Sequence, residues 1–520
     1  MTFRTYFYLF MFGLAVTVFI AQFQSIPGYL DSDYYFGGGI QLVTGKGFTE
    51  PYLWNYLDNT TSIPHPSHSY WMPLASIVSA LGMWITGQTT YGAARSFFLL
   101  IAALIPPLTA ALAYTFSQRR DLAIASGVLA IFSVYHAPFV GVTDNFSLFM
   151  LLGGLYFLIV TQLIQDPTRT RNWFILGLLA GLMTLARSDG LLWLAVTFIF
   201  ALTRLKKISS FILHPSSFIF ALLGFLLIMS PWYARNLSVY GSLMAPGGSR
   251  ALWLANYDQT FIYPPTLLTM ESFLALGCDH IIKDRLWALS NNLQSGFAAH
   301  GGIILFPFIV AGIIYYWRDE RVKLASLAWL ILFFVMTFIF PFAGARGAFF
   351  HAGAALQPMW WSLAPLGLES ILLSLRKRGI GNDNNRVVFR SALIMVAMIL
   401  TIYVVYLRLF TLGWGEGEDA AYPAIEQFLV QNGIEDNDIV IVRNAPGYYL
   451  ETGRPAISIP YGGEQAILDV ADQFNAEYLV LEPQAVLDPI KDLFQNPENS
   501  NKFMYLGELD GARIYKLEPK

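Results

Sequence analysis

Residues 5–35 read TYFYLFMFGLAVTVFIAQFQSIPGYLDSDYY: an apolar run over about 5–24, then two carboxylates, Asp31 and Asp33, then Tyr34 and Tyr35. The apolar run is long enough to cross a bilayer core. A cleaved signal peptide is the competing reading, and the many apolar runs that follow favour a first membrane span. Two carboxylates at the lip of a span are costly unless they face water, protein or a substrate. In a chain only 13% charged they are the natural starting point for a mechanism.

The pattern repeats along the 520 residues, which are 55% hydrophobic and 16% aromatic, with mean hydropathy +0.50. That composition belongs to a polytopic membrane protein rather than a soluble one. The net charge of −3 gives no basic field for nucleic acid. Cys278 is the single cysteine, so intramolecular disulfides and CxxC metal or redox motifs are excluded.

Apolar segments recur at about 5–24, 96–116, 122–136, 146–165, 173–186, 190–203, 210–230, 301–317, 324–341, 351–373 and 391–410. If 71–87 does not cross, 16 of the 32 Lys and Arg fall in short loops on one side, among them Arg4, Arg119, Arg120, Lys206, Lys207 and Arg376–Arg378. The positive-inside rule makes that side cytoplasmic, and 71–87 becomes a helix lying in the outer interface. The expectation is about eleven spans in the plasma (inner) membrane, N-terminus cytoplasmic and C-terminus extracytoplasmic. A membrane domain covers 1–412, with outer loops at 25–95 and 231–300, and 413–520 follows it as an extracytoplasmic domain.

That tail is acidic and patterned like a small soluble α/β domain. Residues 421–432 and 464–474 predict helices; 438–443, 456–460 and 477–481 predict strands. Asp510-Gly511 predicts the turn of a hairpin between 503–506 and 512–517. It carries no Gly-rich phosphate loop, which suits binding or scaffolding.

The topology gathers ionisable residues at one depth. Asp31 and Asp33 follow span one, and His65, His68 and Arg95 lie in the first loop. His136, Asp144, Arg187, Asp189, Arg235, Arg346 and His351 come from later turns. Each has a bland alternative: snorkelling for the arginines, helix caps for Asp144 and Asp189, ordinary interfacial positions for the histidines. Together they predict a wet cavity. Arginines suit a phosphate or diphosphate, and a carboxylate can take the proton of an attacking hydroxyl. That is the chemistry of glycosyl transfer from a lipid-phosphate sugar. Two acids two residues apart do not specify a hydrolytic carboxyl pair.

At these motifs the chain resembles the GT-C superfamily of membrane glycosyltransferases, with protein O-mannosyltransferase, aminoarabinose transferase and Rgt-like bacterial transferases the nearest groups. The resemblance covers about 1–410 and rests on the order of its motifs. DSDYY (31–35) is followed by GKGFTEPYLWNYL (45–57), WMPLASIVSALGMWITG (71–87) and ARSFFLL (94–100), then VTDN, LARSDGLL, PWYARN and RGAFFHAGAALQP. It implies transfer with inversion, at the outer face, from a polyprenyl-phosphate-linked sugar to a hydroxyl acceptor on protein, lipid or glycan. It implies a first-loop Asp as general base. Asp31 aligns with that position, but the second acid stands one place later than in the family pattern, with Ser32 between, so Asp31 and Asp33 both remain candidates. Asp144, Tyr34 and Tyr35 are expected to support the acceptor or base. Arg346 is expected at the donor phosphate, with Arg95, Arg187 and Arg235 as further cations, and His65, His68 and His351 as polar contacts. No cofactor is required by these residues; some relatives bind a divalent metal, for which no close ligand spacing stands in the sequence. The readings from other classes are a transporter or flippase of lipid-linked glycans, against which the absence of a convincing internal repeat counts, and an inactive scaffold of the same fold.

Overall fold

The computed structural model describes residues 1–205, 214–380, 383–415, 420–500 and 502–517. Lys206 and Lys207 of the basic cluster, and the first residues of the expected span 210–230, lie outside them. The chain divides into two compact units. One comprises Met1–Ser25, Arg95–Arg235 and Ile282–Leu412; the other comprises Ile26–Ala94, Asn236–Ile281 and Gly413–Lys520.

The first unit is helical. Among the described residues six helices are long and apolar enough to cross a membrane: Phe3–Ala21, Tyr91–Ser117, Phe146–Gln165, Ser216–Tyr240, Glu320–Ile339 and Arg386–Thr411. Other expected spans are shorter, Thr170–Ala186 with 17 residues and Phe306–Tyr315 with 10, against about 20 for an upright crossing. The expected span 324–341 ends in a π-helical turn, Val335–Ile339, and 351–373 becomes a short broken stretch followed by the helix Gln357–Lys377. Helices of this kind pack through small residues. A Cβ on Gly153 would lie 1.9 Å from the Ala355 carbonyl oxygen, so only glycine allows the Phe146–Gln165 helix to meet the 354–356 turn. Charged residues tie the helix ends: Arg119 pairs with Glu369 and Asp121, and Asp121 also with Arg390.

The second unit is mixed. It opens on the acidic helix Leu30–Val43. Two short strands follow it, β1 (Thr49–Glu50) and β2 (Tyr52–Leu53), and then β3 (His65–Pro66), antiparallel to β1. The helix Leu74–Thr86 buries Ala75, Val78 and Met83 and exposes Leu81, Trp84 and Ile85. The tail supplies β4 (Ile439–Val442), β5 (Ala456–Ser458), β6 (Ala476–Leu481), β7 (Phe503–Leu509) and β8 (Ala512–Leu517), with helices Tyr422–Gln431, Ala445–Thr452 and Glu464–Phe474 between them. The sheet order is β2-β5-β4-β6-β8-β7, parallel from β2 to β6 and antiparallel beyond. Its edge strand β2 belongs to the first loop: Tyr52 pairs with Ala456 and Leu53 with Ile457. Leu53 and Tyr56 enter the same core as Ile441, Ile457, Ile467 and Leu479, and the Tyr56 hydroxyl donates to the Ser458 carbonyl. The tail therefore shares its sheet and core with the first loop.

Candidate active site

In the second unit, the DSDYY motif occupies the first turn of the acidic helix, a favourable place for carboxylates because the helix N-terminus is partially positive. Helical geometry turns residues two apart by about 200°, and the two acids separate accordingly. Asp31 is half-buried. Asp33 is 1% exposed and accepts a hydrogen bond from Asn444 Nδ2 at 2.9 Å. Tyr34 and Tyr35 point into the unit: the Tyr34 hydroxyl accepts from the His68 backbone N–H at 2.6 Å, and both rings pack on Trp71.

The first-loop histidines are buried beneath this helix. His65 stands opposite Glu50 across the β1–β3 ladder, with Nε2 2.9 Å from the Glu50 carboxylate. Its Nδ1 is 2.8 Å from the Pro66 carbonyl, which can only accept, so this nitrogen donates. Burial pulls the imidazole pKa down, but the adjacent Glu50 carboxylate outweighs it and holds His65 up to about 9. His68 is sealed between Ser67 Oγ (2.7 Å) and Ser76 Oγ (3.0 Å).

In the first unit, Asp144 is fully buried. Its Oδ1 accepts the Asn145 N–H at 2.6 Å and its Oδ2 lies 3.1 Å from His351 Nε2. His351 Nδ1 is 3.0 Å from the Gly347 carbonyl, which makes Nδ1 a donor. Nε2 then faces the Asp144 carboxylate either with a proton or, in the neutral ring, with a lone pair that calls for a proton or cation between the two groups. Phe146 stacks on the His351 ring at 4.1 Å.

A π-helical turn leads into the short helix Phe349–Gly353 that carries His351. Gly344–Ala348 is π-helical, and Gly347 at φ 132° kinks it, a conformation that favours glycine. Arg346 is exposed there. Arg187 forms an ion pair with Asp189 at 3.0 Å and reaches the Ala348 carbonyl at 3.5 Å. Thus Asp144, Arg187, Arg346 and His351 share one neighbourhood. Arg95 instead donates to the Gln24 and Ala21 carbonyls at 2.7 and 2.6 Å, closing the end of the first helix. Arg235 lies over the Trp232 ring at 4.7 Å.

Sequence reasoning missed the supports. His300 Nε2 is 3.2 Å from the Phe349 carbonyl, and its Nδ1 accepts from Trp329 Nε1 at 3.2 Å, so this ring pins the turn before His351. Glu50 and Asn444 were missed as well. Their signal, a charged or amide residue beside a short strand, is too common to single out.

Family models and characterised protein sequences give no match. Solved structures do. ArnT from Cupriavidus metallidurans, bound to undecaprenyl phosphate, aligns with 99% of this chain and 98% of its own at 15% identity and TM-score 0.53. Oligosaccharyltransferase AglB from Archaeoglobus fulgidus, in complex with an inhibitory peptide and a dolichol-phosphate, aligns with 99% of this chain and 75% of its own at 13% identity and TM-score 0.54. The A. fulgidus enzyme in complex with Zn and sulfate aligns with 97% and 72% at 13% identity and TM-score 0.54. These neighbours are GT-C membrane glycosyltransferases, and what the chain shares with them is the fold. Six described helices long and apolar enough to cross a membrane, on that shared fold, support a multi-pass membrane protein.

Proposed function

We propose that this protein is an inverting glycosyltransferase that takes a sugar from a polyprenyl-phosphate carrier and gives it to a hydroxyl acceptor at the outer face of the plasma (inner) membrane. Asp31 is the general base. It takes the acceptor's O–H proton as the acceptor oxygen forms a bond to the anomeric carbon; the bond from that carbon to the phosphate oxygen breaks and polyprenyl phosphate leaves with the electron pair. The proton on Asp31 returns to solvent. A positioned base of this kind contributes about 10²–10⁴ in rate. Arg346 and Arg187 serve the donor phosphate, where guanidinium groups bind phosphate oxygens in pairs. The single observation that carries the base assignment is the fate of the two acids: Asp33 is buried and bonded to Asn444, whereas Asp31 is half-buried on the opposite side of its helix. The GT-C fold supports the reaction class.

Asp144 and His351 suit a divalent cation, offering one carboxylate oxygen and one ring nitrogen 3.1 Å apart. A cation held there would supply charge stabilisation for a departing phosphate. The residues' own part is to hold that geometry, through the Asn145 N–H on Asp144 and the Gly347 carbonyl on His351.

In this reading the N-terminus is cytoplasmic and the loops and tail lie outside, as the positive-inside rule suggests. Lipid extracts from a deletion strain and its parent test the reaction, alongside purified protein in vesicles. Accumulation of one lipid-phosphate sugar in the deletion strain, and its cleavage by the protein, is the expected result. Movement of the intact lipid-linked glycan across the bilayer without cleavage would make it a flippase. Binding without turnover would make it a scaffold.

A further inference from the structure

The group that separates the two acids of DSDYY comes from the far end of the chain. Asn444 follows β4 and caps the helix Ala445–Thr452. Its Oδ1 accepts the Gly447 N–H at 3.2 Å, and its Nδ2 donates to Asp33 Oδ2 at 2.9 Å. Both side chains are buried, Asn444 at 2% and Asp33 at 1% exposure. The amide has one workable orientation. Turned over, its NH₂ would meet the Gly447 N–H and its oxygen would meet the carboxylate, two repulsive contacts. The cap therefore fixes the donor that faces Asp33.

The same tail helix holds the acidic helix a second time. Gln41 Nε2 donates to the Tyr449 hydroxyl at 3.1 Å. Asp33 and Gln41 are eight residues apart, about two helical turns, so two grips from Ala445–Thr452 define both the rotation and the tilt of Leu30–Val43. The tail helix is itself anchored: β5, the strand after it, pairs with β2 of the first loop. Asn444 stands at the carboxyl end of a parallel strand, the edge from which α/β sheets present polar groups.

We propose that Asn444 is a positioning residue, and that the tail exists in part to supply it: its amide withdraws Asp33 from the reaction and sets the rotation of the acidic helix that presents Asp31. The inference rests on Asp31 being the base proposed above, but the contact itself is testable without any turnover. Loss of the amide removes the donor that faces Asp33 Oδ2 and weakens the hold on the rotation of the acidic helix. A role confined to stability predicts less folded protein with unchanged kinetics; a positioning role lowers kcat while leaving donor KM in place.

The test uses the full chain in detergent micelles. Labelling with a water-soluble carbodiimide and glycine ethyl ester, read by peptide mass spectrometry, reports Asp31 and Asp33 separately. In the wild type Asp33 should react at least about tenfold more slowly than Asp31, as buried groups do. N444A should weaken that protection measurably and lower kcat about tenfold, the scale of losing a partner that orients an active group, measured on lipid-phosphate sugar in native lipid extract. N444D is isosteric and keeps the cap while removing the donor, and gives the same comparison should N444A not fold. The pair D33N/N444D exchanges amide and carboxylate across one contact, and should restore kcat to within about threefold of wild type, since hydrogen-bond partners couple rather than add. Undiminished protection of Asp33 in N444A or N444D, or a swap no better than either single variant, overturns the proposal. D31N that keeps turning over donor, with the labelling pattern as expected, would remove the base reading and leave the contact between Asn444 and Asp33 standing.

Discussion

Two histidine–carboxylate pairs, one in each unit, have nearly the same length and opposite characters. Glu50 and His65 meet at 2.9 Å with 2% and 1% of their side chains exposed; Asp144 and His351 meet at 3.1 Å with 0% and 12% exposed. The first pair is fixed by its surroundings. The residues face each other across two short strands, and both side chains are almost wholly out of solvent. The second pair joins the bend before the Phe146–Gln165 helix to the helix Phe349–Gly353, and its histidine follows a kinked π-helical turn that carries an exposed arginine. A polar pair sealed on all sides holds structure. One that keeps a surface can meet a ligand.

The comparison can be broken most severely at Glu50. E50Q strands the His65 imidazolium in a buried site, and removing one partner of such a pair costs about 3–5 kcal/mol. Chemical unfolding or the yield of folded protein in micelles should register that loss, and an unchanged stability would mean the pair is dispensable. H351Q should do the reverse. Stability should change little, while turnover falls about 10–100-fold as ligand-orienting contacts are lost. Equal losses of stability in E50Q and H351Q would erase the distinction between the two pairs.

A smaller effect should appear with pH. His65 is held up to about 9 in the folded chain, above its ordinary 6.5. The stabilisation from its raised pKa is therefore fully present below pH 6.5 and lost as pH rises through about 9. The unfolding midpoint should drop across that window in the wild type. H65Q should flatten this drop, and a wild-type midpoint constant from pH 6.5 to 9.5 would contradict the assignment.

Much of the fold was legible because its signals are local. The apolar run before Asp31 and the turn at Asp510-Gly511 are read from neighbouring residues, and most of the tail's expected strands and helices lie within a residue or two of their hydrophobic periods, although β7 runs three residues further and the helix Ala445–Thr452 was not anticipated. What was not legible is non-local or broken. The parallel pairing of Tyr52 with Ala456 leaves no mark on a two-residue strand. The π-helical turns at 335–339 and 344–348 interrupt segments whose composition reads as continuous helix. Among candidate site residues, His65 and His68 looked like His351, and only burial separates them. Motif alignment favours Asp31 over Asp33, and burial and the Asn444 contact are what set the two acids apart in the structure.

That division is the centre of the account, and one kinetic comparison reaches it directly. D31N and D33N, purified separately, are assayed for transfer from a lipid-phosphate sugar with saturating acceptor. D31N should lose at least about 10² in kcat with donor KM nearly unchanged, and D33N should lose distinctly less. Near-normal transfer by D31N, or a greater loss in D33N, would contradict it.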